Sequence, residues 1–123
     1  MADIRLTPKQ MMELAVKTLV DKKAKDIKVL QIEQITTLAD YFIIANGTSL
    51  RQLRTLTEEL SEALEAVGEP PPRVEGYRNA GGWTLVDFGA IAVHLFTEEV
   101  RKFYDLERLW GDAKEIPLPS SET

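Results

Sequence analysis

The sequence predicts a single-domain α/β fold, in which helices pack on a mixed β-sheet. Two amphipathic segments carry helix-start signals, which is a helical pattern. Residues 41–45 form a short run that is apolar at nearly every position, as suits a central strand buried on both faces. WTLVDF and AIAVHLF are parted only by Gly89, with Ala90 at the turn, as suits a tight hairpin. Helices on one face of the sheet or on both are equally compatible with these patterns.

Taken in order, Thr7-Pro8-Lys9-Gln10 opens the first helix. Threonine caps, proline fits the first helical position, and glutamine three residues after the cap completes a capping box. Met12, Val16, Leu19 and Val20 recur at helical spacing until the lysine-rich DKKAKD (21–26). IKVLQI (27–32) reads as a β-branched strand, followed after a turn by the buried run 41–45 and its Asn46-Gly47 stop. Ser49-Leu50-Arg51-Gln52 has the form of a second capping box. Leu50, Leu53, Leu56, Leu60, Leu64 and Val67 then make one apolar stripe, and Gly68 stands where a left-handed terminal residue belongs. EPPPR (69–73) is a stiff connection, and VEGY (74–77) suits a short strand before the glycine turn NAGG. After the hairpin, Val100, Phe103, Tyr104, Leu106 and Leu109 predict a helix from Glu98 to about Trp110. The domain therefore spans residues 1–113, and 114–123 read as a flexible tail.

Composition narrows the chemistry. At 123 residues, 44% of them hydrophobic, the chain can bury about two thirds of its unfolded surface. No apolar stretch approaches the roughly 18–20 residues of a membrane-spanning helix. The opening MADIRLTPKQ has neither a signal core nor a transit pattern, which points to the cytoplasm. With no cysteine and one histidine, thiolate metal sites, disulfides and His-rich zinc sites are excluded, and no cofactor is expected. A net charge of −5 disfavours direct nucleic-acid contact and suits a basic protein partner.

Two enzymatic patterns are present in fragments. Gly47-Thr48-Ser49 joins a strand to a helix, the kind of turn that cradles a phosphate, and a magnesium-dependent nucleotide-binding or nucleotidyltransferase protein is the alternative reading. Such enzymes need paired carboxylates on the next strand. Residues 50–60 are helical instead, and Asp87 has Leu85 and Gly89 two positions away. The Asp87-Phe88-Gly89 triplet lacks the rest of a kinase. Asp87 and His94 fall on one hairpin, where residues summing to about 179 face each other; that register places them on a common face. No serine, cysteine or lysine beside them completes a nucleophilic site, so recognition is favoured over catalysis. Trp83, Phe96, Phe103, Tyr104 and Trp110 crowd the last third, and Trp83, Tyr104 and Glu107 suit a protein-binding patch.

ADYFIIANGTSLRQL (39–53), Glu75-Gly76, GWTLVDFGAIAVHLF (82–96) and RKFYDLERLWGDA (101–113) together resemble the ribosomal silencing factor family, RsfS or Iojap-related, over nearly all of residues 8–113. The resemblance implies a nucleotidyltransferase-like fold without the catalytic carboxylates and no enzymatic activity. It also implies binding to the large ribosomal subunit through ribosomal protein fourteen on its intersubunit face. Occupying that surface blocks joining of the small subunit and represses translation under nutrient limitation. The implied partner-binding residues are Trp83, Leu85, Asp87, His94, Tyr104 and Glu107, with homodimer formation open to the free protein. Family members usually carry an acid after the hairpin glycine, where this chain has Ala90, so the turn itself is not counted in the site. Organellar relatives carry targeting extensions; their absence implies a bacterial protein.

Overall fold

The structure, a computed structural model, describes residues 6–77, 81–105, 108, 111 and 113–118. The elements run α1 (Pro8–Asp21), β1 (Lys25–Gln31), β2 (Tyr41–Gly47), α2 (Leu50–Glu65), β3 (Arg73–Glu75), β4 (Trp83–Asp87), β5 (Ile91–Thr97), α3 (Glu98–Tyr104) and β6 (Lys114–Ile116). The strands form one mixed sheet in the order β3-β4-β5-β2-β1-β6, parallel at β2–β5 and antiparallel at the other junctions. The α/β class is as the sequence predicts.

Parity along the two central strands divides the interior. Tyr41, Ile43 and Ala45 of β2 and Ile91, Val93 and Leu95 of β5 point to one side, where α1 and α2 cover them with Met11, Ala15, Leu19, Leu53, Leu56 and Leu60. The alternate residues Phe42, Ile44, Ala92 and Phe96 point to the other, beside Leu30 and Ile32. A β2 buried at all seven positions follows from this two-sided packing. The long helices thus share one face, a choice that periodicity leaves open.

The helix starts obey local chemistry. The Thr7 side chain accepts from the Gln10 N–H while the Gln10 amide reaches back to the Thr7 N–H, a complete capping box. The second box is only half made. Ser49 Oγ accepts from the Gln52 N–H at 3.1 Å, but the Gln52 carbonyl oxygen accepts from the Thr48 backbone and hydroxyl. Its amide nitrogen donates to the Lys22 and Lys23 carbonyls, so Gln52 ties the end of α1 to the start of α2.

Two further expectations need correction. α3 stops at Tyr104 rather than near Trp110, because Asp105 takes a left-handed conformation (φ 49°, ψ 57°) that no helix continues through. Phe103, within α3, is 81% exposed. The tail does not begin at 114: Lys114–Ile116 pair antiparallel with Gln31, Leu30 and Val29, because β1 otherwise presents an unpaired ladder edge. Residues 106–107, 109–110 and 119–123 lie outside the described residues.

The connection from β3 to β4 has one steric constraint that bears on the site. Gly76 has φ +83°, and a Cβ there would lie 2.3 Å from the Trp83 carbonyl oxygen. Gly76→Ala is expected to destabilise the fold by about 2 kcal/mol or more, combining left-handed strain with a backbone clash. A urea midpoint unchanged from that of the parent protein would show that the loop relaxes freely.

Candidate functional site

On the sheet face opposite α1 and α2, β4 and β5 run antiparallel with Trp83 beside Phe96, Leu85 beside His94 and Asp87 beside Ala92. Every one of these pairs sums to 179, so the register places Trp83, Leu85, Asp87 and His94 on one face, as the hairpin spacing predicts. β2 adds Phe42 beneath them, and Tyr104 arrives from the last turn of α3. The result is a continuous aromatic patch. Trp83 stacks on Phe96 with centroids 5.1 Å apart and lies 4.6 Å from Tyr104. Phe42 meets His94 edge-on at 4.8 Å, and Phe103 meets Tyr104 edge-on at 5.1 Å. Tyr104 is 44% exposed, Trp83 and Leu85 are half-buried, and Phe42 and Phe96 form the floor.

The polar residues of this face are committed within the chain. Trp83 Nε1–H donates to His94 Nδ1 at 3.2 Å. Burial pulls the His94 imidazole down to about 4, against a smaller opposing pull from the Asp87 carboxylate. Near neutral pH the ring is therefore uncharged, and with Nδ1 accepting, its proton sits on Nε2. That Nε2 is buried and has no hydrogen-bond partner among the described residues. Asp87 closes the turn: its Oδ1 accepts from the Gly89 N–H at 2.8 Å and its Oδ2 pairs with Arg73 at 3.0 Å.

These contacts separate the sequence-predicted site residues. Trp83, Leu85 and Tyr104 come together as an accessible aromatic surface. Asp87 shares the face but is anchored to β3, and His94, only 7% exposed, lies beneath Trp83 rather than facing outward. His94 is thus not placed to pair with an external donor, since its one accepting nitrogen is already used. Glu107 falls outside the described residues. Phe42 escaped the sequence reading because a strand buried on both faces shows no alternation; the parallel pairing of Ile44 with His94 assigns its side.

The Gly47–Ser49 turn borders an open cavity of about 700 Å³. Its hydroxyls are engaged, Thr48 donating to Gln52 and Ser49 capping α2. Three acids, Asp26, Glu98 and Glu99, line the same cavity against one cation, Lys25, a balance that disfavours a polyphosphate. Among the described residues no three His, Cys, Asp or Glu side chains converge as metal ligands, and no helix is long and apolar enough to cross a membrane.

A single-domain α/β sheet with a recognition-type aromatic face, and with its only histidine consumed in supporting a tryptophan, has the makings of a binding protein. A family model described as "Ribosomal silencing factor during starvation" matches residues 5–123. The chain is 36% identical over 113 residues to the ribosomal silencing factor RsfS of Halalkalibacterium halodurans, covering 92% of this chain and 96% of that one. A crystal structure of a Chromobacterium violaceum protein superposes with a TM-score of 0.82 at 34% identity, covering 96% of this chain and 94% of the other. The "Mitochondrial assembly of ribosomal large subunit protein 1" of Mus musculus is 36% identical over 101 residues, which make up 80% of this chain and 44% of the mouse protein. The chain belongs to the ribosomal silencing factor family. It is a non-enzymatic translational regulator.

Proposed function

We propose that the protein binds the large ribosomal subunit through the face bearing Trp83, Leu85 and Tyr104, and by occupying that surface blocks joining of the small subunit. The immediate partner in this reading is ribosomal protein fourteen of the large subunit, a basic protein on the intersubunit side. The observation that carries the proposal is the aromatic patch itself, in a chain of the silencing family. Tryptophan and tyrosine bury large area at little entropic cost, which is how a small surface reaches useful affinity. The mouse relative, whose printed name concerns assembly of the ribosomal large subunit, supports the choice of subunit. The net charge of −5 supports a basic partner, because complementary fields speed encounter and fix orientation.

Mechanism in this reading is steric: no bond is made or broken. Trp83, Leu85 and Tyr104 supply buried area, while Asp87 acts from the rim, held at the turn by Arg73. The proposed set of partner-binding residues also includes Glu107, which lies outside the described residues. Repression under nutrient limitation and action in the cytoplasm complete the proposal. In the free protein the same face is available to a second copy, which light scattering at several concentrations would detect.

The test is to mix the protein with purified subunits and sediment them. The protein is expected to pellet with the large subunit and to reduce joining of the small one in proportion to its occupancy. A protein that stays in the supernatant at micromolar concentrations would end the proposal.

A further inference from the structure

We infer that His94 is a positioning residue, which holds the Trp83 indole in one docking orientation through the Nδ1 hydrogen bond and does not itself touch the partner. The orientation stands on the geometry of the free chain; its consequence for binding rests on the docking reading above.

The inference begins from a polar residue in an apolar place. His94 stands among Phe42, Leu85 and Phe96, and it is 93% buried by its 7% exposure. Its Nε2–H lies in that setting without a partner among the described residues, a situation that opposes folding. A phenylalanine or leucine would fill the position without that penalty. What neither would supply is an acceptor facing Trp83 Nε1, the one side-chain hydrogen bond that His94 makes among the described residues.

Stacking alone cannot do the same. The rings of Phe96 and Tyr104 lie 5.1 and 4.6 Å from the indole and restrain its plane. Ring contacts of this kind still allow two flipped placements of the indole, which expose different edges. A hydrogen bond to the indole N–H selects one of them, because only one flip carries Nε1 to His94 Nδ1. Selecting the edge before encounter removes an ordering cost from binding. The cross-strand register makes this contact possible: Leu85 lies beside His94, so Trp83, two residues along β4 on the same face, reaches it diagonally.

Two replacements separate positioning from plain packing. In His94→Asn the amide oxygen stands two bonds from Cβ, as Nδ1 does, and can accept from the indole. In His94→Leu the volume is kept and the acceptor is lost. Two readouts apply to each full-length variant: sedimentation with the large subunit, and nitrogen–proton correlation NMR of the indole N–H signals, the Trp83 signal being identified from Trp83→Phe. The leucine variant is expected to bind about 5-fold more weakly, and its Trp83 N–H to move upfield and exchange faster; the asparagine variant should keep affinity to within about 2-fold and hold the signal in place.

A leucine variant with parental affinity and an unmoved indole signal overturns the inference. So does an asparagine variant as impaired as leucine in both. Should the leucine variant fail to fold, the parent protein alone decides: a Trp83 N–H that exchanges as fast as free indole refutes the hydrogen bond. Because the indole signal is read without ribosomes, it judges His94 even if the protein does not sediment with the subunit, an outcome that refutes only the docking proposal.

Discussion

Trp83→Ala is expected to weaken binding to the large ribosomal subunit by about 2 kcal/mol or more, a roughly 30-fold rise in Kd, the usual scale for truncating a central aromatic anchor. Trp83 is the natural centre of the patch. It touches both Phe96 and Tyr104 and donates to His94. Its half-buried state leaves part of the indole to meet a partner while the rest is immobilised, so little ordering cost remains for binding. The variant should fold, because the fully buried interior on the helix side (Leu56, Leu60, Val93, Leu95) does not involve position 83. Binding is measured by sedimentation at several protein concentrations, with circular dichroism as the folding control. A folded Trp83→Ala protein that binds as the parent does would remove Trp83 from the surface.

Acid should destabilise the protein through His94. The folded-state value of about 4 lies below the ordinary 6.5, with burial as the main cause. The sign follows from proton counting. Between these two values the unfolded chain binds a proton at position 94 that the folded chain refuses, so stability rises with pH across that window. The contribution is complete above about pH 6.5 and is lost progressively as the pH falls toward 4. A difference of about 2.5 units corresponds to roughly 3 kcal/mol, an order-of-magnitude figure. There is also a structural side to this. Protonation places a hydrogen on Nδ1, where Trp83 already points its own N–H, so the bond between them is lost as the charge is buried. Urea midpoints at pH 7, 5.5 and 4.5 for the parent and for His94→Asn isolate the effect, since the carboxylates titrate in both. A parallel loss of stability in the two proteins would show that His94 does not carry it.

Much of the site was legible in the sequence because hairpin register follows from loop length and alternation. Trp83, Leu85, Asp87 and His94 share a face because the turn at Gly89–Ala90 sets the sum at 179, and spacing is enough to read that. Their roles were not legible in the same way. Spacing cannot show that Arg73, fourteen positions away, takes up Asp87, because the two meet only after β3 pairs with β4. Nor can it show that His94 is turned inward beneath an indole, which depends on how χ angles settle once Phe42 arrives from β2.

The elements divide along the same line. Residue order alone determined the Thr7 cap, the apolar stripe of α2, the buried run 41–45 and the missing carboxylate pair, because each rests on neighbours a few positions apart. Family membership was likewise written in the motifs of residues 39–53, 82–96 and 101–113. Tertiary structure decided that α1 and α2 share one face, that Gln52 ties them together instead of closing its capping box, and that residues 114–116 join β1 as a sixth strand. It also decided which aromatics are floor and which are surface. Those outcomes depend on pairings between distant segments, β2 with β5 and β1 with β6, whose energies come from burial and ladder hydrogen bonds and leave no local periodicity to read.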